Sequence, residues 1–288
     1  MASTDHQHYY VPNGTIWPFL GSIGLTALIV GFIHILNGGS GTFMMLAGAG
    51  VLIFMLFGWF GEVVRESEGR TYSRWEDRSF RLGMSWFIFS EVMFFCAFFG
   101  ALFYARVLSV PWLGGAGEEA DTHQWLWSSF QAVWPTNGPA AVGGEFEPMP
   151  AWGLPALNTL ILLTSGATVT WAHHALKENN RKQLIQGLAA TVALGFLFVI
   201  LQAWEYSHAH HEMNLTLGSG IYGSTFYMLT GFHGMHVTLG AIILTVVLVR
   251  AYKGHFTPDN HFAFEAAAWY WHFVDVVWLG LFIFVYWL

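Results

Sequence analysis

Apolar residues fill this chain in long continuous blocks, set apart by short polar breaks. A helix needs roughly 20 apolar residues to cross about 30 Å of hydrocarbon. Seven blocks reach that length: about Ile16–Leu36, Gly41–Phe60, Phe80–Val107, Leu154–Leu176, Leu184–Tyr206, Tyr222–Arg250 and Phe262–Leu288. Each predicts a transmembrane helix. The blocks do not alternate with period two, so a membrane β-barrel is not expected. Asn37, Gly38, Gly39 and Ser40 make a tight Gly-rich break after the first block and predict an antiparallel hairpin. The third, sixth and seventh blocks are long enough to tilt or to project past the lipid.

Composition narrows the class. Hydrophobic residues make up 55% of the chain and charged residues 10%, against roughly 25% charged in an average soluble domain. A soluble protein so poor in charge would expose large apolar patches. An ordinary soluble enzyme and a disordered chain are therefore excluded. The net charge of -7 leaves no basic footprint for nucleic acid. No Lys or Arg precedes Arg65, so the positive n-region of a signal peptide is missing and the first block is expected to be a retained span. The single cysteine, Cys96, forms no intrachain disulfide and no thiolate cluster. Inside an apolar run it reads as a small buried hydrophobe.

The cations set the orientation. Arg65, Arg70, Arg74, Arg78 and Arg81 follow the second block, Lys177, Arg181 and Lys182 the fourth, and Arg250 and Lys253 close the sixth. With seven spans these loops share one side with the N-terminus, and Arg106 alone lies opposite. The N-terminus is predicted inside and Leu288 outside. Trp17, Trp59, Tyr206, Tyr222, Tyr286 and Trp287 fit interfacial belts. The outer stretch Leu108–Gly153 has no Lys or Arg but carries Glu118, Glu119, Asp121, Glu145 and Glu147. It is either a plain solvated loop or an acidic surface for a basic soluble partner.

Ionisable groups inside a membrane are costly, and by default they suggest function. Glu91 sits mid-block with no cation within a helical turn, so it must be protonated or find a partner on another helix. A proton-active carboxyl, a lock between helices, and a neutral acid with one structural hydrogen bond all remain open. Glu265, Trp269 and His272 share one helical face, and Asp275 follows His272 at pairing distance. Such a stripe fixes neighbouring helices more often than it carries protons. His233 and His236 lie at i, i+3 among Gly231, Gly234 and Gly240. They could ligate a metal or haem, or hydrogen-bond across a close helix contact. His173, His174 and Glu205 are expected to snorkel to the interfaces. His208, His210, His211 and Glu212 form a polar outer cluster, read as solvated. Arg65, Arg250 and Lys253 are placed to meet phospholipid phosphates at about 1 kcal/mol each. The chain shows no Walker-type phosphate loop, no Cys-based copper site and no haem-attachment motif.

Longer strings then carry a resemblance. Arg81-Leu82-Gly83-Met84 leads into Ser90-Glu91-Val92-Met93-Phe94-Phe95, and Trp171-Ala172-His173-His174 is followed by Gln202-Ala203-Trp204-Glu205-Tyr206. Gly231-Phe232-His233-Gly234-Met235-His236 and Glu265-Ala266-Ala267-Ala268-Trp269-Tyr270-Trp271-His272-Phe273-Val274-Asp275 complete the order. From about Trp17 to Leu288 the chain resembles subunit III of the haem–copper cytochrome c oxidases. The resemblance implies an all-α membrane protein of seven helices, split two plus five around a V-shaped cleft that holds phospholipids. In this sequence that places a polar inner tail at 1–15, a two-helix hairpin at 16–60, an inner charged loop at 61–79 and a five-helix bundle at 80–288, with the outer loop at 108–153.

It further implies a non-catalytic subunit with no haem, copper or other metal of its own. Such a subunit packs beside the haem- and copper-bearing subunit I, with subunit II and smaller subunits in the complex and cytochrome c as donor. It stabilises subunit I and supports proton uptake, in a bacterial-type cell membrane. Glu91 matches the family's intramembrane carboxyl, Arg65, Glu66, Arg250 and Lys253 match positions near lipid head groups, and His233, His236, Glu265, His272 and Asp275 match polar residues between helices. Phe60, Gly100 and Tyr104 depart from aromatic or histidine residues common in relatives, Phe60 at a lipid position. The outer loop is longer than the family leads one to expect. A quinol-oxidising relative and a proton-coupled transporter are the alternative functions. Quinol oxidases usually carry a five-span form of this subunit, and transporters show repeats and broken helices that are not evident here. A haem-bearing quinone enzyme would need histidine pairs facing each other at similar depth, and His34 is a poor partner for His233.

Overall fold

The computed structural model describes residues 14–69, 71–117 and 120–288. The expectations that fall on Met1–Asn13, Arg70, Glu118 and Glu119 lie outside the described residues. Within them the regular elements are helices, and the one β feature is an isolated bridge between Thr257 and Asn260. The chain divides into a first unit ending at Phe80 and a second running from Arg81 to Leu288.

In the first unit, α1 (Trp17–Leu36) and α2 (Thr42–Glu68) run antiparallel. Pro18 stands in the first turn of α1, where its missing N–H costs nothing. Glycines set the spacing between the pair. A Cβ on Gly31 would lie 2.4 Å from the Met45 backbone nitrogen, and one on Gly48 would lie 2.4 Å from that of Leu28. Backbone therefore touches backbone, the close packing that small residues allow in lipid. Trp17 donates its indole N–H to Glu62 at 2.5 Å and ties the far ends together. Gly24, Gly31, Gly48 and Met55 are the buried residues of these two helices; most of their large side chains are exposed.

Helix α3 (Arg74–Phe103) begins before the unit boundary, and most of it belongs to the second unit. It continues through a π-helical segment, Tyr104–Ser109, into α4 (Val110–Leu113). This extends the third predicted block at both ends. A short α5 (Ala120–Trp125) lies in the irregular stretch before α6 (Leu154–Lys177). Next come α7 (Arg181–His211), α8 (Gly220–Lys253) and α9 (Phe262–Leu281), which ends in a second π-helical segment, Phe282–Trp287. Asn180 caps α7 by accepting from the Gln183 N–H at 3.2 Å.

Helix α9 lies deepest. Trp271 and Trp278 are fully buried. Trp271 fits a slot left by Gly195 of α7 and Gly240 of α8, where an added Cβ would come within 2.7 and 2.8 Å of its ring. Its N–H donates to Ser165 at 2.9 Å, and that of Trp278 donates to Thr159 at 2.8 Å. The irregular stretch after α5 is stitched to the α7–α8 turn and the start of α8. Glu147 N–H donates to Met213 O at 2.9 Å, Asn214 Nδ2 to Glu145 O at 2.7 Å, and Tyr222 N–H to Thr136 O at 3.2 Å.

Among the described residues, six helices are long and apolar enough to cross a membrane: α1, α2, α3 with its continuation, α7, α8 and α9 with its continuation. The fourth predicted block does form a helix, α6, of 24 residues. It falls outside the six because Asn158, Thr159, Thr164, Ser165, Thr168 and Thr170 dilute its apolar character. Asn158 and Ser165 point inward and are fully buried, and Thr168 bonds Thr191 of α7 at 2.8 Å. Seven predicted spans thus become seven long helices, six of which qualify on composition.

Candidate functional site: polar pairs between helices

Glu91 lies in the second half of α3, and its Oε2 is 2.9 Å from His236 Nε2 on α8. The other nitrogen, Nδ1, lies 2.6 Å from the Phe232 carbonyl oxygen. A carbonyl only accepts, so Nδ1 carries a hydrogen. Nε2 then either accepts from a protonated Glu91 or, as an imidazolium, donates to its carboxylate. Either way one hydrogen bond joins α3 to α8. Phe95 meets the imidazole at 5.2 Å and Tyr270 at 6.3 Å between ring centroids, and His236 is nearly buried.

His233 sits one turn away but serves a different neighbour. It is fully buried, its Nε2 lies 3.2 Å from the Val274 carbonyl of α9, and Trp278 packs on its ring at 5.0 Å. The i, i+3 pair therefore does not converge on one ligand: one imidazole faces α9 and the other α3. Among the described residues, no group of three or more His, Cys, Asp or Glu side chains is placed to hold a metal ion.

The α9 stripe divides in the same way. Glu265 pairs with Arg81 of α3, whose guanidinium also lies over the Phe262 ring at 5.3 Å. His272 reaches α6: its Nε2 is 3.1 Å from Thr170 Oγ1 and its Nδ1 3.5 Å from Asp275 Oδ2. Arg81, which reads in the sequence as one more inner-side cation, holds α3 to α9.

Of the residues expected near lipid head groups, Arg65, Glu66, Arg250 and Lys253 fall at helix ends, and Phe60 lies further inside α2. Phe60, Arg65 and Glu66 belong to α2; Phe60 and Arg65 are exposed, and Glu66 accepts from the Tyr72 hydroxyl at 2.5 Å. Arg250 and Lys253 lie in the last turn of α8. Arg250 packs over the Phe256 ring at 4.7 Å, and Lys253 is exposed.

Three readings change. Glu205 does not snorkel: it is 1% exposed and accepts from the Tyr286 hydroxyl at 2.7 Å. Its neighbours on the same face point the same way. Gln202 donates to the Thr230 carbonyl at 2.9 Å, and the Tyr206 and Thr230 hydroxyls meet at 2.6 Å. The i, i+3, i+4 spacing of Gln202, Glu205 and Tyr206 is the signal that marks an inward polar face. His173 is half-buried against Phe264 and His261, at 5.3 and 5.5 Å between ring centroids, whereas His174 is exposed. Cys96 is exposed, because Phe95 takes the inward position and the next residue turns about 100° away on a helix of 3.6 residues per turn. His208, His210, His211 and Glu212 are exposed, with His208 and Glu212 paired at 3.2 Å.

Long apolar helices joined by a few polar pairs define a multi-pass, all-helical membrane protein. The chain matches the family model described as "Cytochrome c oxidase subunit III" over residues 6–288. It is similar to proteins named cytochrome c oxidase subunit 3 from three distant organisms. The Marchantia polymorpha protein is 42% identical over 294 residues, covering 100% of this chain and 98% of the relative. The Dugong dugon protein is 41% identical over 280 residues, at 97% and 96%, and that of Carassius auratus 40% over 288 residues, at 100% and 99%. The chain belongs to the cytochrome c oxidase subunit III family, as the sequence strings lead one to expect.

Proposed function

We propose that the chain is the non-catalytic core subunit of a proton-pumping terminal oxidase, in which electrons from cytochrome c reach oxygen through haems and copper held by partner subunits. The chain would stabilise subunit I, bind phospholipid and support proton uptake from the inner side. The observation that supports this most is the use of its membrane charges: Glu91 with His236, and Arg81 with Glu265, join one helix to another. A polar group that locks helices suits a scaffold. The hydrogen bond between Glu91 and His236 leaves a proton-related role open to the same pair.

In this reading α6 is the seventh span. Its 24 residues cover about 36 Å at about 1.5 Å per residue, and its hydroxyls return to their own backbone, as Thr159 does to Pro155 O and Thr164 to Leu160 O. The seven helices then act as two plus five, in a bacterial-type cell membrane, with the N-terminus inside and Leu288 outside. Phe60, Arg65 and Glu66 at one inner site, and Arg250 and Lys253 at another, receive phospholipid head groups.

The test is purification of the oxidase with and without this chain. The chain alone should show no haem band, and the depleted complex should retain its haems but lose activity sooner during turnover. A stoichiometric haem band from the isolated chain would overturn the reading. In the complete complex, Glu91→Gln should leave assembly intact and change proton uptake or turnover lifetime. If both stay unchanged, Glu91 has no proton-related role.

A further inference from the structure

Among the described residues, α6 is the one long helix that falls short of the apolar character of a span. Part of its polar character faces protein. Asn158 and Ser165 are fully buried, and Thr168 is half-buried where it meets Thr191 of α7 at 2.8 Å. Thr191 is fully buried too, and it donates to the Gly187 carbonyl at 2.8 Å. Gly187 lets the two helices touch: a Cβ there would lie 2.9 Å from Ala172 Cβ and 3.0 Å from the Thr168 carbonyl oxygen. Glu178, Asn179 and Asn180 alone join α6 to α7, so the two helices run antiparallel. Hydrogen bonds fix this turn. Asn180 N–H donates to the Ala175 carbonyl at 2.7 Å, and its side chain caps α7. Ser165 and Thr159 also accept from Trp271 and Trp278 of α9, but these lie 106 and 119 residues further along the chain.

A segment of marginal apolarity enters lipid at a cost, and the cost falls when its polar groups meet another helix. Small residues and hydroxyl groups are what such helices bring to their contact. A chain is made from its N-terminal end, so α7 is the next long helix to follow α6, and α9 arrives later. We propose that α6 crosses the membrane as one arm of a hairpin with α7. The apolar α7 carries it in, and the contact of Thr168 and Ala172 with Gly187 and Thr191 holds it there. Asn158 and the hydroxyl residues of α6 are what make the pairing necessary. This rests on the reading of α6 as the seventh span.

The test is made in the full chain carrying Cys96→Ser and one new cysteine, Trp152→Cys or Glu178→Cys, at either end of α6, where both side chains are exposed. A membrane-impermeant maleimide then labels sealed vesicles from one side. With α6 otherwise unchanged, the two cysteines should be reached from opposite sides. The same side for both overturns the seventh span itself. Gly187→Leu should raise the share of chains with both ends on one side roughly tenfold, the order of an interhelical contact in lipid. Ends that stay on opposite sides in that variant overturn the hairpin entry and leave the span intact. Adding Asn158→Leu and Thr164→Leu, which make α6 apolar enough to stand alone, should return the ends to opposite sides; failure to do so overturns the proposal. A wrongly inserted chain can be degraded, so its amount in the membrane is read as well. A loss caused by Gly187→Leu and reversed by the apolar α6 supports the pairing, and a loss not reversed overturns it.

Discussion

The hairpin of α1 and α2 and the bundle of α6 to α9 solve the same problem by different means. Neither gains much from hiding apolar surface, because lipid is as apolar as their side chains. The hairpin closes by bringing backbone onto backbone at Gly31 and Gly48, and it leaves its large side chains facing outward. The bundle closes by seating large side chains in slots, Trp271 between Gly195 and Gly240, and by hydrogen bonds from indoles and hydroxyls to the next helix. In a bilayer, cohesion comes from contact and polar complementarity, and the two units divide these between them.

Three substitutions test that division, the most damaging first. Trp271→Ala should destabilise the bundle by about 3–5 kcal/mol, since the slot cannot collapse around the lost ring. Unfolding followed by circular dichroism in detergent should show it, and a loss below about 1 kcal/mol would mean that the slot is not a source of cohesion. Gly48→Leu should cost about 1–3 kcal/mol by forcing the hairpin open. Cysteine pairs across α1 and α2 should then stop cross-linking, with the bundle's melting unchanged; if the bundle melts earlier too, the two units are not independent. Tyr286→Phe should cost about 1 kcal/mol by leaving Glu205 without its donor. An unchanged melting temperature would show that Glu205 finds another partner in the bundle.

Much of the architecture could be read from the residues. The apolar blocks became helices at nearly the expected places, and the Gly-rich break became the turn of an antiparallel pair. The limits of the blocks were less legible, because a helix such as α3 begins at Arg74, in the charged loop, and continues past Val107 through a π-helical segment. Mean apolarity also hid the character of α6, whose buried Asn158 and Ser165 read as polar although they face protein. The candidate residues were visible singly but not their pairing. Glu91 and His236 are 145 positions apart, and Arg81 and Glu265 are 184 apart, so no local spacing links them. Glu205 shows the same limit, since its partner lies 81 residues on in the last turn of the chain.

Hydrogen bonds tie the irregular stretch after α5 to the α7–α8 turn and the start of α8. Because backbone groups of Thr136, Glu145 and Glu147 are fastened to a neighbouring segment, the part between them behaves as a strap secured at both ends. A nick between Thr136 and Glu145 would leave both cut pieces clasped in place.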